Sequence, residues 1–392
     1  MKKILIILGI ALFTACEMDE VLPDNFYGCK TDIIAPPVDH PKTASYQLLM
    51  GDIVNSGIPG IQFSVMHPDN GFWNGAEGYA DLASGVSMEP CQITRVGSTV
   101  KTFTAVTILL LQEDGKLSIE DPIKDYLSVE QINGLQNADQ ATIKQLLIHS
   151  SGIYNYIQNP EFQTASLNNL TKVWQPMELL EYAKGKSAYF QPGSDVIYSN
   201  TNYVLLGWII EKVAGKPFYD VFEERIFVPL EMKGTQFAAE DPVPPGIVRG
   251  YSDLYSNLNV INSTYYSGWD YYSADGGLIS NAHDLNVFLN ALFNGKILSK
   301  ESMSQILDWQ KPQEQASDGF ETAYGLGVFK IETNYGPAYL HSGDAIGYFA
   351  SMVHFPVQNV TITWAVNGNY GKIDEFSQSK EAMENIFKQV LE

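Results

Sequence analysis

The sequence predicts a mixed α/β (α+β) fold in which both chain ends contribute to one antiparallel sheet, flanked by helices, with a mainly helical lobe inserted between them. Three observations carry this prediction. Strand-like alternation lies near both ends, amphipathic helical spacing brackets it, and residues 106–319 read as helical stretches broken by Pro, Gly and Tyr-rich polar segments. At 392 residues the chain is long enough for one large two-lobed unit.

The first element is a leader. Lys2 and Lys3 precede an apolar run over residues 4–13, too short for a membrane span, so residues 1–15 read as a secretory signal. Phe13-Thr14-Ala15-Cys16 resembles a bacterial lipobox, with Phe13 where leucine is usual. On that resemblance Cys16 is the lipidated N-terminus, residues 16–40 are a Pro- and Asp-rich tether, and the protein is an exported lipoprotein of the periplasm, outer membrane or cell surface. Of three cysteines, lipidation of Cys16 leaves a pair, Cys29 and Cys91. An oxidising compartment can join them; the alternative is two separate thiols. With 24 Lys+Arg against 45 Asp+Glu, nucleic acid and anionic membrane surfaces are disfavoured as partners, and contact with a membrane is left to the lipid anchor.

The folded domain is predicted over residues 41–392, with a sheet lobe at 41–105 and 320–392 and a helical lobe at 106–319. "TASYQLLMGDIV" places Tyr46, Leu49 and Ile53 on one helical face. "GIQFSVMHPDNGFWNGAEGYADL" alternates as a hairpin turning at Asp69-Asn70-Gly71. Toward the other end, "YGLGVFKIE", "GPAYLHSG" and "FASMVHFPVQNVTITWAV" read as three successive strands. Residues 374–392 then carry Phe376, Met383, Phe387 and Val390 on one helical face.

Three short patterns point to chemistry. In "RVGSTVKTFTAVTILLLQEDGKL", Ser98 and Lys101 stand three residues apart at the start of an apolar helix that Gly115 stops, so both lie on one face. The plain alternative is a capping serine and a lysine reaching solvent. In the chemical reading Ser98 is a nucleophile in the positive field of the helix end. Desolvation and that same field lower the pKa of Lys101 and make it a base. A second match, Ser377-x-x-Lys380, falls on the polar side of the C-terminal helix and reads as a decoy. Tyr198-x-Asn200 lies on a turn before a helix carrying Tyr203, Leu206, Ile210 and Val213, so both side chains can face one cleft. The similar Tyr255-Ser256-Asn257 has no helix behind it. His341-x-Gly343 ends a strand, and glycine there permits close approach of backbone to substrate.

Ser98-x-x-Lys101, Tyr198-x-Asn200 and His341-x-Gly343, in that order, resemble the serine beta-lactamase-related family of class C beta-lactamases, D-alanyl-D-alanine carboxypeptidases and family VIII esterases. "GIPGIQFSV", "TIKQLLIHSSGI", "SADGGLISNAHDLNVFLNAL" and "YGLGVF" are similar to that family too. The resemblance implies a beta-lactamase/transpeptidase-like fold, Ser98 as nucleophile, and Lys101 with Tyr198 as the acid–base system. It implies Asn200, His341, Ser342 and Gly343 as substrate-binding residues, and the backbone N–H groups of Ser98 and Asp344 as an oxyanion hole. His149 reads as structural. His40, His67, His283 and His354 lack metal-ligand spacing, so neither a metal nor a cofactor is implied. His341 departs from the Lys-Thr-Gly of class C beta-lactamases and puts carboxylate recognition in doubt.

The expected activity is that of a secreted, lipid-anchored serine hydrolase acting through a Ser98 acyl-enzyme on a small-molecule or peptide ester or amide. Acyl transfer to an alcohol or amine, true beta-lactamase activity, and a catalytically silent binding protein on the same fold are the alternatives.

Overall fold

The computed structural model describes residues 29, 40–266, 268–315, 317 and 319–392. In chain order, the elements that frame the site begin with helix α1 (Thr43–Asn55) and strands β1 (Gly60–His67), β2 (Gly71–Asp81) and β3 (Val86–Ser87). Helices α2 (Val100–Glu113), α3 (Asn200–Ala214) and α4 (Ala282–Phe293) follow. Strands β4 (Thr322–Tyr324), β5 (Phe329–Thr333), β6 (Gly336–Ala345), β7 (Tyr348–Phe355) and β8 (Val360–Val366) precede helix α5 (Lys380–Leu391). The eight strands form one sheet in the order β3-β2-β1-β8-β7-β6-β5-β4, and its paired strands run antiparallel. The β1–β8 pairing, with Phe63 opposite Trp364, joins the two chain ends at the centre.

Alternation along the strands decides which layer each face meets. Ile61, Phe63 and Val65 of β1 and Ile362, Trp364 and Val366 of β8 share a core with Tyr46, Leu49 and Ile53 of α1 and Met383, Phe387 and Val390 of α5. Aromatic edges hold this layer: Tyr46 meets Trp73 at 5.0 Å and Phe387 meets Phe355 at 5.0 Å between ring centroids. The other face packs on α4 and α2. Asn286 of α4 donates from Nδ2 to the carbonyls of Ser64 (3.0 Å) and Thr361 (3.1 Å), and Phe288 stacks on Phe103 of α2 at 3.6 Å. Residues 100–111 of α2 are all buried, because this helix lies between the sheet and the helical lobe and meets protein on every side.

Three readings of the sequence are refined here. Residues 348–366 form a β7–β8 hairpin instead of one strand, turning through Pro356 to Asn359, which takes a left-handed φ of +52°. The C-terminal helical stretch is two helices, Ile373–Ser377 and α5, because Ser379 caps α5 by accepting from Ala382 N. Helix α4 falls in the residues assigned to the helical lobe, yet it packs on the sheet through the Asn286 bonds. Amphipathic spacing identifies such a helix but not the layer that receives its apolar face.

Among the described residues no helix is long and apolar enough to cross a membrane. The leader, Cys16 and the tether up to residue 28 lie outside the described residues, as do residues 30–39.

Candidate active site

A tight 3₁₀ turn, Gly97–Thr99, carries Ser98 into α2, so Ser98 lies on the turn ahead of the helix and does not cap it. The short strand Thr94–Arg95 holds the incoming chain against Leu278–Ser280. Gly97 adopts φ +49°, and a Cβ there would overlap the backbone of Asp344, so a side chain is excluded where turn and strand meet.

Lys101 sits one turn on, fully buried, with Nζ 2.9 Å from Ser98 Oγ and in contact with the Asp275 carbonyl. Burial lowers its pKa to about 8, although the Asp275 and Asp270 carboxylates pull it upward. At neutral pH a useful fraction is therefore an uncharged amine that can accept the serine proton.

Tyr198 closes the triad from the helical lobe. Burial is the largest cause that raises the pKa of its phenol well above 10, while the nearby Ser98 hydroxyl pulls it down. The Lys101 ammonium nitrogen lies 5.1 Å from the centre of its ring. The Tyr198 phenol thus stays protonated in the free protein, and Lys101 is the group able to act as base.

The turn that presents Tyr198 is clamped from the "HSSG" stretch. His149 takes a left-handed φ of +61°, stacks on Tyr198 at 4.4 Å and accepts from Ser199 N at 3.0 Å through Nδ1. Burial and the neighbouring Lys101 hold its pKa well below 6.5, so it is a neutral acceptor with a positioning role. Asn155 completes the clamp, accepting from Asn200 N at 3.1 Å and donating to the Tyr198 carbonyl at 3.4 Å. Asn200 opens α3 and borders the cavity beside Ser98.

Strand β6 forms the opposite wall. A Cβ on Gly343 would overlap Val96 O and lie 2.5 Å from Ser98 N, so the strand and the nucleophile turn are in backbone contact. The β6–β7 hairpin turns through Ile346 and Gly347, with Ala345 opposite Tyr348. The pair flanking a two-residue hairpin turn is hydrogen-bonded, and alternation then points the Asp344 N–H outward. Strand β5 pairs only as far as Leu340, which leaves that edge open toward Ser98. The two backbone donors expected of an oxyanion hole, at Ser98 and Asp344, therefore border one space.

His341 Nδ1 lies 2.7 Å from the Ser342 carbonyl, which can only accept, so the proton is on Nδ1 and Nε2 is a lone-pair acceptor. Burial, with Lys101 nearby, lowers its pKa to about 3. It carries no charge at neutral pH. The Ser342 hydroxyl pairs with Ser351 at 2.9 Å.

Ser98, Tyr198, Asn200, His341 and Ser342 border a cavity of about 560 Å³ whose lining also includes Tyr324, Phe329, Asp270 and Asp344. Asp270 and Asp275 belong to the Tyr-rich segment and were not singled out by the sequence. Asp275 accepts from Tyr156 Oη (2.9 Å) and Ser273 Oγ (2.5 Å), which fixes the loop carbonyl that meets Lys101. Away from the site, Cys29 and Cys91 are joined as a disulfide, with Cα atoms 5.4 Å apart. Ser377 is buried and bonds back to Ile373 O at 3.1 Å, while Lys380 reaches Gly319 O at 3.3 Å, so this second Ser-x-x-Lys match forms no comparable pair.

The Beta-lactamase family model matches residues 38–382. The chain belongs to the beta-lactamase family of serine hydrolases. Its curated relatives include "Penicillin-binding protein 4*" of Bacillus subtilis, 29% identical over 74% of this chain and 64% of that protein. The chain thus spans less than two thirds of the length of the curated relatives it first matches. Among solved structures, a D-stereospecific amidohydrolase from Streptomyces sp. superposes with a TM-score of 0.73 at 28% identity, covering 86% of this chain and 98% of that one. A D-amino acid amidase from Ochrobactrum anthropi SV3, complexed with L-phenylalanine amide, gives 0.77 at 26% identity, covering 89% and 98%. Within the beta-lactamase family, this chain is set apart from the Lys-Thr-Gly pattern by an uncharged imidazole at position 341.

Proposed function

We propose that the protein hydrolyses an ester or amide through a Ser98 acyl-enzyme, in the manner of an amidase, esterase or D-alanyl peptidase. The observation that carries this is the buried Lys101 amine, with its lowered pKa, 2.9 Å from the Ser98 hydroxyl. In the proposed reaction, Ser98 Oγ bonds to the carbonyl carbon as Lys101 takes its proton. The oxyanion is held by the N–H groups of Ser98 and Asp344. Tyr198 passes a proton to the leaving nitrogen or oxygen as the C–N or C–O bond breaks and regains one from the Lys101 ammonium. Water then bonds to the acyl carbon as Lys101 takes its proton, the Ser98 Oγ–carbon bond breaks to release the acid, and Ser98 Oγ recovers the proton. Asn200 faces the substrate beside Ser98.

Peptide mass spectrometry after reaction with a fluorophosphonate is expected to find the label on Ser98. Label on Ser377, or none, would refute this reading. Export and lipid anchoring at Cys16 belong to the same proposal. They are supported by Lys2, Lys3 and the apolar run that precedes the cysteine.

The neutral His341 favours substrates without an essential carboxylate, because no fixed cation replaces the lysine of the Lys-Thr-Gly pattern. The kcat/KM for p-nitrophenyl butyrate is accordingly expected to exceed that for nitrocefin. A nitrocefin value well above that for every ester and peptide tried would instead make the protein a true beta-lactamase.

A further inference from the structure

We propose that the cavity beside Ser98 selects acyl groups carrying a protonated amine, with the Asp270 and Asp344 carboxylates and His341 Nε2 as its acceptors. The proposal rests on the acyl-enzyme reading above and adds the substrate class.

His341 is the first observation. It is 2% exposed, it borders the cavity, and its Nε2 has no protein partner. Because Nδ1 must carry the proton to bond the Ser342 carbonyl, Nε2 can only accept. A buried acceptor without a donor is costly, and a ligand N–H removes that cost.

The second observation is where the carboxylates converge. Asp270 is buried at the cavity wall, and the Asp344 side chain is exposed at its mouth. The carboxyls of Asp344, Asp374 and Asp270 all act on the phenol of Tyr370, itself a cavity residue, and add to the loss of hydration that pushes its pKa to about 12. Asp270 and Asp344 thus line the space near Tyr370, with Asp374 adding negative charge from outside the lining.

Lys101 and Arg95 both act on Asp270 and partly offset its charge, whereas the neighbouring charge acting on Asp344 is another carboxylate, Asp374. Lys101 is turned to Ser98 and the Asp275 carbonyl. Arg95 donates to the carbonyls of Pro242 (3.0 Å) and Thr264 (3.3 Å) and lies over the Tyr271 ring at 4.4 Å. Asp270 has a pKa raised to about 7, chiefly by burial with Asp275 adding to the rise, and loss of hydration beside the cavity wall, with Asp374, raises that of Asp344 to about 6. At pH 7.5 both are more ionised than not, and a cation drives them further that way. A substrate carboxylate at this end meets repulsion, whereas an ammonium brings three donors to an acceptor lining.

The position suits an α-amine. Asp344 offers its N–H to the oxyanion, so its carboxylate starts from the same residue that marks the carbonyl under attack. An α-ammonium is one carbon from that carbonyl.

The test compares D-alanine p-nitroanilide with its N-acetyl derivative on the full protein at pH 7.5, using p-nitrophenyl butyrate as an uncharged reference. Acetylation removes the charge and leaves the scissile bond unchanged. It is expected to lower kcat/KM by about 100-fold. Asp344→Asn and Asp270→Asn should each lower the ratio of kcat/KM for the free amine to that for the butyrate by roughly tenfold or more. Asp344 is exposed, so its variant tests the idea even if Asp270→Asn folds poorly. An N-acetylated substrate that reacts as well as the free amine, or a ratio unmoved by both variants, overturns the proposal while Ser98 labelling leaves the acyl-enzyme reading standing. Failure of every substrate together with failure of Ser98 to take a fluorophosphonate overturns both.

Discussion

Replacing Lys101 with alanine, or Tyr198 with phenylalanine, is expected to lower kcat by roughly 100- to 10,000-fold while KM changes little. That is about 3 to 5 kcal/mol of transition-state stabilisation. Each substitution removes a proton acceptor or carrier beside Ser98 whose help matters most while protons are in motion, and so kcat should bear the loss. The pH profile separates this from damage to the fold. Only the deprotonated Lys101 can accept a proton, so kcat/KM for p-nitrophenyl butyrate should rise with pH through about 8 and level off above it. In Lys101→Ala that rise should vanish, whereas in Tyr198→Phe it should remain on a lower plateau. His341, with its pKa lowered to about 3, contributes no limb in this range. Near wild-type turnover in either variant, or a Lys101→Ala profile that keeps the rise near pH 8, would assign the base elsewhere.

The groups that make this prediction were legible in the sequence because each sits at the edge of a regular element. Ser98 and Lys101 open an apolar helix, Tyr198 precedes another, and His341 lies near the end of a strand, so local periodicity places them before any tertiary contact is known. Asp270 and Asp275 lacked such a signal. They lie in a Tyr-rich segment without period, and only the closing of that loop over α2 brings the Asp275 carbonyl to Lys101. His149 could be read as structural from "HSSG", but its grip on Tyr198 depends on a left-handed backbone and a bond across 50 residues. The β7–β8 turn was hidden for a different reason. Both faces of these strands are buried, so the apolar run continues almost unbroken on either side of Pro356.

Gly343→Ala is the backbone counterpart of the Lys101 prediction, and kcat/KM is expected to fall about 100- to 1000-fold, the scale of losing one oxyanion donor. The added methyl would overlap Val96 O and sit 2.5 Å from Ser98 N and 2.8 Å from Gly97 C, and all three are backbone atoms that cannot rotate aside. Strand β6 and the nucleophile turn must therefore separate, and the donors at Ser98 and Asp344 ride on those two segments. Overpacking of this kind costs about 1 to 3 kcal/mol of stability, far less than is needed to explain such a loss of rate if the protein still melts cooperatively. Fluorophosphonate labelling of Ser98 should slow in parallel, because its phosphoryl oxygen uses the same donors. Gly51→Ala provides the control: Gly51 lies within α1 with no neighbour inside 4 Å of an added Cβ, so alanine there should leave activity unchanged and raise helix stability by roughly 1 kcal/mol or less. A Gly343→Ala protein with both native melting and native turnover would show that the oxyanion is not held between Ser98 and Asp344.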